Sequence, residues 1–374
     1  MPTKSPTPVR KLEPPTNRKY IRLVEYFEGR IRTGQLKKGE RFPTFVALQQ
    51  QFGVTVNTVN RAMVDLEQKG LIVREHRHGV FVADLASAGK RSNPVHARPG
   101  LIGVTGWGFQ FGTQSSYWAN LLGGIHEAVL QAKMQVILLD YRSAHGWEKA
   151  DGVLISDWSS GQTARYVPDK LPCVSLLVSV QGMASAAIDD RATLIAATQY
   201  LISLGHKRIA FLHGHDPYVT PPRLAGYKNA MKEAGLKVSP KWQRSFMTGN
   251  DFGDQYVAAG KQAMKTWLRE GWSTLGCTAL LCHNDEIAVG AMGAFNEAGV
   301  LVPRDVSVMG FDGLDIGNHL TPRLTTMEMP LHKIGATAVE MLLRQIEADR
   351  VSVEHKVLPT QLRVRESTSV PSRH

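Results

Sequence analysis

The sequence predicts an α/β protein in two parts: an N-terminal helix–turn–helix with a β-hairpin, then a two-lobed, doubly wound parallel-sheet domain. Three observations predict it. Before residue 84, apolar residues at helical spacing give way to two short strand-like runs around a glycine-containing tip. From residue 100 onward, apolar runs alternate with helical stretches, the signature of buried parallel strands. The charge is also uneven: residues 1–98 hold 18 Lys+Arg against 8 Asp+Glu, and residues 99–374 hold 26 against 25.

The chain has 374 residues, which suits two or three domains of about 100–200 residues each. Its 43% hydrophobic content excludes a mainly disordered protein. No apolar run approaches the ~18 residues of a membrane span, and the N-terminus has no apolar segment of the secretory kind. Three cysteines, Cys173, Cys277 and Cys282, are too few for a disulfide scaffold, so a cytoplasmic protein is expected.

Residues 1–16 carry five prolines and no periodicity and read as a disordered tail. The first domain is expected over 17–83. Ile21, Val24, Phe27 and Ile31 place a helix over 17–35, ended by Gly34 and the Lys37–Glu40 turn. A second helix begins near Pro43-Thr44 and carries Phe45, Leu48 and Phe52. After the turn at Gly53-Val54-Thr55, a third helix over 56–69 has Val59, Ala62, Met63 and Leu66 on its inner face and Gly70 at its end. Leu71-Ile72-Val73 and Val80-Phe81-Val82 form the hairpin.

Residues 84–99 are small, polar and basic, as in a linker. The second domain is expected over 100–366, with 367–374 as a tail. Its strands fall at Leu101–Val104, Val136–Leu139, Val153–Ile155, Val174–Val178, Ile209–Leu212, Thr278–Cys282 and Val306–Met309. Helices are expected over 118–132, 191–203, 223–234, 254–269, 285–298 and 332–347. Residues 141–152 are too short for a full crossover helix. Sheets of this kind bind ligands at the carboxyl ends of their strands.

A basic helix–turn–helix suits a polyanion. Its third helix can enter the major groove, where base edges are distinguishable, and a hairpin tip can reach the backbone. Thr44, Thr55, Val56, Asn57, Thr58, Asn60 and Arg61 are the candidate contacts of the helices, and Arg74, Arg77, His78 and Gly79 those of the hairpin. The stretches IRTGQLKKGERFPT and LQQQFGVTVNTVNRAMVDLEQKGLIVREHRHGVFVA resemble the GntR-type winged helix. The resemblance implies DNA binding. It does not carry base preference over, because the family usually has arginine where this chain has Val46, Val56 and Asn60. The other reading of this module is protein interaction.

Further along, SSYWANLLGGIHEA, YLISLGHKRIAFL, PPRLAGYKNAMKEAG, HNDEIAVGAMGAFNEAGVLVPRDVSVMGFDG and LTPRLTTMEMP resemble the effector domain of LacI/GalR-type regulators, which is similar to periplasmic sugar-binding proteins. The resemblance implies a small, sugar-like ligand between two lobes. Arg223, Asn284 and Asp312 would be its polar contacts, Tyr117 and Phe252 its aromatic walls, and Trp107 part of the closing loop. Each has a plainer alternative: an ion pair for Arg223, caps or turns for Asn284 and Asp312, core packing for the aromatics. The family commonly has an aspartate where this chain has about Leu177 and a polar residue near Met329, so ligand identity does not transfer.

Glycines at 106, 108 and 112 follow a strand, but Trp107, Phe109 and Phe111 fill the gaps where a dinucleotide needs close backbone. His213 and His215 lack a third ligand at metal spacing. No cofactor, no metal and no enzyme activity are therefore expected. The expectation is a DNA-binding repressor, homodimeric, whose partners are a palindromic operator and a sugar-like effector, with no membrane. The alternative is an α/β sugar-binding protein or enzyme with a regulatory winged helix.

Overall fold

The structure is a computed structural model. It describes residues 16–55, 58–59, 62–63, 65–66, 71–75, 79–83, 100–106, 115–140, 146–156, 171–246 and 256–372. The chain divides into two compact units, 1–97 and 98–374.

In the first unit, α1 (Thr16–Arg32) buries Leu23, Val24, Phe27 and Ile31, one face of a 3.6-residue repeat. Phe27 meets Phe42 at 4.6 Å between ring centroids. Helix α2 (Phe45–Phe52) starts at Thr44, whose hydroxyl accepts from Ala47 N at 3.3 Å, and stops at Gly53 in the left-handed region (φ 59°). The described residues among 58–66 are helical and bury Val59, Ala62, Met63 and Leu66. Strands β1 (Ile72–Glu75) and β2 (Gly79–Val82) pair antiparallel with Ile72 opposite Val82. The linker expected at 84–99 and the tail at 1–15 lie outside the described residues.

The second unit holds two six-stranded sheets. The first lobe contains β3 (Leu101–Thr105), α3 (Ser116–Gln131), β4 (Gln135–Leu139), β5 (Gly152–Ile155), β6 (Cys173–Leu177) and β7 (Ala184–Ala187). The second contains α4 (Asp190–Ser203), β8 (Ile209–His213), α5 (Thr220–Glu233), β9 (Gln243–Ser245), α6 (Tyr256–Arg269), α7 (Trp272–Leu275), β10 (Ala279–Cys282), α8 (Asp285–Glu297), β11 (Ser307–Asp312) and β12 (Thr325–Glu328). The chain then returns α9 (Leu331–Ala348) and β13 (His355–Val357) to the first lobe and β14 (Gln361–Arg363) to the second.

The strand orders are β13-β7-β6-β5-β3-β4 and β14-β12-β11-β10-β8-β9. Only β14 runs antiparallel within the two sheets. Position by position the orders correspond, so β3 answers to β8, β5 to β10 and β6 to β11. The central strands β5, β6, β10 and β11 are buried along their whole length, as a sheet covered on both faces requires.

In the described part of the β4–β5 connection, a 3₁₀ turn over Trp147–Lys149 carries the covering side chain, Trp147. It is 1% exposed and packs among Leu139, Ala150, Val153, Ile155 and Cys173. Helices cross closely on glycines: a side chain at Gly290 would strike the Val257 carbonyl, one at Gly260 the Ile287 carbonyl, and one at Gly335 the Leu121 carbonyl.

The expected tail beyond 366 is corrected. Ser367 is 0% exposed. Its hydroxyl accepts from Thr325 N at 2.8 Å and donates to the Val308 carbonyl at 2.6 Å. His206, also buried, meets the Ser369 carbonyl through Nε2 at 3.0 Å. Serine and threonine hydroxyls here replace the ladder a further strand would supply.

Candidate functional site

Asp312, Arg223, Asn284 and Tyr117 all lie at carboxyl ends of strands or at the helix starts beside them. Asp312 ends β11, is 6% exposed and has φ 111°. That backbone region disfavours any side chain, by about 1–2 kcal/mol, and held strain of this kind concentrates at functional positions. Burial pushes the Asp312 carboxyl well above the usual carboxylate range, Arg223 opposes the shift, and Asp285, Glu286 and Asp190 add to it.

Arg223, one turn into α5, is the cation of this group. Its Nε donates to Asp190 Oδ1 at 2.7 Å, and its Nη1 donates to the His283 carbonyl at 2.6 Å. Its guanidinium carbon stands 3.8 Å from the Phe311 ring centroid. The ion-pair alternative raised from sequence is thus present, with a carboxylate whose side chain is only 10% exposed. Asn284 caps α8, its Oδ1 accepting from Ile287 N at 2.8 Å, which leaves its amide NH₂ as the group able to reach outward.

Tyr117, in the first turn of α3, brings the first lobe to the site. It is 9% exposed, and its hydroxyl titrates well above the ordinary tyrosine range because of burial and then the Asp312 charge. Ser115 Oγ reaches Glu286 Oε1 at 3.5 Å across the lobes. Tyr256, at the start of α6, is pushed up to about 12 by burial, with Glu286, Asp216 and Asp312 adding. Trp107 and Phe252 lie outside the described residues.

The sequence reading missed four polar groups at these strand ends and helix starts. Among the described residues, Thr105 Oγ1, Ser156 Oγ and His283 Nδ1 at the strand ends and Thr220 Oγ1 at the start of α5 are buried without a hydrogen-bond partner. The signal was present: Ser156 and His283 are each the first residue after an apolar run, the place where such sheets present ligand contacts.

In the first unit, Thr44 and Thr55 are exposed, each beside a helix start. Thr58 is corrected: it is 8% exposed, and its hydroxyl meets Thr55 Oγ1 at 3.0 Å, so it turns inward as part of the cap. Arg74 and Gly79 stand opposite Val80 and Glu75 in the hairpin. Val56, Asn57, Asn60, Arg61, Arg77 and His78 lie outside the described residues.

A hairpin-bearing helical unit followed by a two-lobed sheet domain with buried polar groups at its strand ends defines a class, and a family model matches part of each unit. Residues 19–82 match the gntR family of bacterial regulatory proteins, and residues 198–368 match the periplasmic binding protein-like domain. The chain is similar to the HTH-type transcriptional repressor PurR of Vibrio vulnificus (strain CMCP6), at 30% identity over 214 residues that cover 56% of this chain and 61% of that one. It is similar along nearly its whole length to the arabinose metabolism transcriptional repressor of Geobacillus stearothermophilus, at 25% identity over 94% of this chain and 97% of that one. Among solved structures, a LacI family transcriptional regulator from Mycobacterium smegmatis superposes with a TM-score of 0.61 at 26% identity, covering 72% of this chain and 100% of that chain. The first unit is thus similar to gntR-type regulators, and the second to periplasmic binding protein-like domains and to the LacI family structure. No helix among the described residues is long and apolar enough to cross a membrane.

Proposed function

We propose that the protein is a DNA-binding transcription repressor whose operator affinity is set by a small, sugar-like metabolite held between the lobes. The observation that supports it most is the meeting of the lobes where Ser115 Oγ of the first lies 3.5 Å from Glu286 Oε1 of the second, with Arg223, Asn284 and Asp312 at the neighbouring strand ends. Closing the lobes on a ligand then changes the geometry of the whole domain, and the ligand shifts the equilibrium by its differential affinity for the two states. In this reading the ligand is bound and released unchanged, and the winged helix meets DNA through its basic surface. Two copies joined through their effector domains would read a rough palindrome. The full alignment with the arabinose repressor supports the joining of these two modules in one regulator.

A thermal-shift screen of the full-length protein against common monosaccharides tests it. A ligand at ~1,000 times its Kd adds about 4 kcal/mol, a rise of several degrees. A sugar that raises the melting temperature and releases selected operator DNA supports the reading; a sugar that binds without changing DNA affinity contradicts it.

A further inference from the structure

We propose that His283 is an effector-binding residue, its Nδ1 reading a hydroxyl of an uncharged polyhydroxylated ligand, with Thr220 Oγ1 as its neighbour on the same wall. The proposal rests on the sensor reading above and names the chemistry that the sensor selects.

The two lobes place the argument. His283 is the first residue after β10, and Ser156 is the first residue after β5, the corresponding strand. The backbone ties them alike: His283 N donates to the Leu212 carbonyl at 2.8 Å, and Ser156 N donates to the Thr105 carbonyl at 2.9 Å. Both side chains are more than nine-tenths buried, and each holds a polar atom without a partner. In the first lobe a side chain at Gly106 would strike Ser156 Oγ, and in the second Gly214 lies beside the His283 ring, where a Cβ would come to 3.4 Å from Cε1. Ser156 and His283 thus hold corresponding strand-end positions in the two lobes, and each carries an orphaned polar atom there. Thr220 lies one turn before Arg223 on α5, and Arg223 holds the His283 carbonyl. Phe246 stands edge-on to the His283 ring at 5.6 Å and fixes its plane.

The chemistry follows from what surrounds these atoms. A buried polar atom without a partner is costly, and it persists where a ligand or a bound water completes it. A neutral imidazole nitrogen and a threonine hydroxyl can each suit a hydroxyl, which both donates and accepts. Burial, Arg223 and His213 hold the His283 imidazole neutral. Arg223, the cation of this group, already gives Nε to Asp190 and Nη1 to the His283 carbonyl, so little of its charge is left for an anionic ligand. The cleft therefore favours the free sugar over its phosphate.

The experiment is titration calorimetry of the full-length protein with L-arabinose, D-ribose, D-galactose, L-fucose, ribose 5-phosphate and galactose 6-phosphate. The expected result is binding of an uncharged sugar at least about tenfold tighter than its phosphate. His283→Ala and Thr220→Val should each weaken that sugar by about tenfold, while His283→Asn, which keeps an amide near the Nδ1 position, recovers part of the loss. Thr220→Val conserves shape and reports the hydroxyl alone should the histidine variant fold poorly. Wild-type affinity in both His283→Ala and Thr220→Val would mean that water completes these atoms, and would overturn the assignment. Tighter binding of a sugar phosphate would overturn the ligand class while leaving the sensor reading intact. Binding of none of the six would count against the sensor reading itself and take the assignment with it.

Discussion

Leu177 and Asp312 occupy the same place in the two lobes. Each is the last residue of the third strand in its sheet order, β6 and β11, and each has a positive φ, 72° and 111°. Both are almost wholly buried, at 3% and 6% exposed. The corresponding sites thus share a strained backbone and differ in side chain, an alkyl group in one lobe and a carboxylate in the other. A leucine in this region costs about 1–2 kcal/mol in backbone strain.

Asp312→Asn tests the carboxylate apart from the backbone, since asparagine tolerates positive φ. The expected outcome is a loss of sugar affinity of about tenfold or more, with the melting temperature of the unliganded protein unchanged or raised. Asp312→Ala should lose the ligand equally and also fall in stability by about 1–2 kcal/mol. Equal DNA affinity of both variants in the absence of sugar, measured by fluorescence anisotropy, would separate sensing from DNA reading.

The glycine crossings predict opposite results on one helix. Gly290→Ala on α8 forces a methyl into the Val257 carbonyl and should destabilise the domain by about 1–3 kcal/mol. Gly293→Ala, where nothing lies within 4 Å, should be neutral or gain up to about 1 kcal/mol from helix propensity. Thermal denaturation of the two variants side by side checks the contrast.

Asp285 gives a pH dependence. Burial pushes its carboxyl up to about 7, against hydrogen bonds from Thr326 Oγ1 and Leu314 N, each at 2.6 Å. The folded state therefore holds a proton that the unfolded chain, near about 3.9, has released. This contribution to stability is fully present below the unfolded value and is lost as the pH rises through about 7. Asp285→Asn should flatten the fall between these limits in a denaturant series. Asp312 and Asp216, raised chiefly by burial, act in the same sense, so a reduced slope is expected rather than none.

Ser367→Ala removes both hydroxyl bonds of that residue and should cost about 1–3 kcal/mol, because the Thr325 N–H is left buried and unpaired. Deleting 367–374 should cost more, since His206 and Ser307 lose the Ser369 carbonyl as well. An unchanged urea midpoint for the truncated protein would contradict the packing described.

For the winged helix, Arg74→Ala with Arg77→Ala should weaken binding to every DNA sequence. It should also reduce the slope of log K against log salt by about 2 if both arginines touch phosphate. An unchanged slope would place the hairpin away from the backbone.

Much of this was legible in the sequence because burial on both faces writes a strand as an apolar run. Val153–Ile155 and Thr278–Cys282 needed nothing more. Strand β7 escaped notice because Ala184–Ala187 has no branched or aromatic residue; its place comes from β6 and β13 on either side. The edge strands β9, β13 and β14, of three residues each, have too little pattern to be seen. At the cleft, Arg223, Asn284 and Asp312 were legible as polar residues beside strand ends. The bonding of Arg223 to Asp190 was not, since it joins two helices 33 residues apart. Thr58 misled because its position suits an outer face, while the Thr55 cap turns its hydroxyl inward.

Neither lobe is made from one continuous stretch of chain. The first borrows α9 and β13 from beyond the second lobe's strands, and the second is finished by β14 and the serines at 367 and 369. A ribosome reading this message would therefore release a nearly complete chain before either sheet could close. Expressing one lobe as a simple fragment should fail for the same reason, whichever single point is chosen for the cut. A fusion joined at Ser367 or Ser369 would displace the bonds that finish the second lobe.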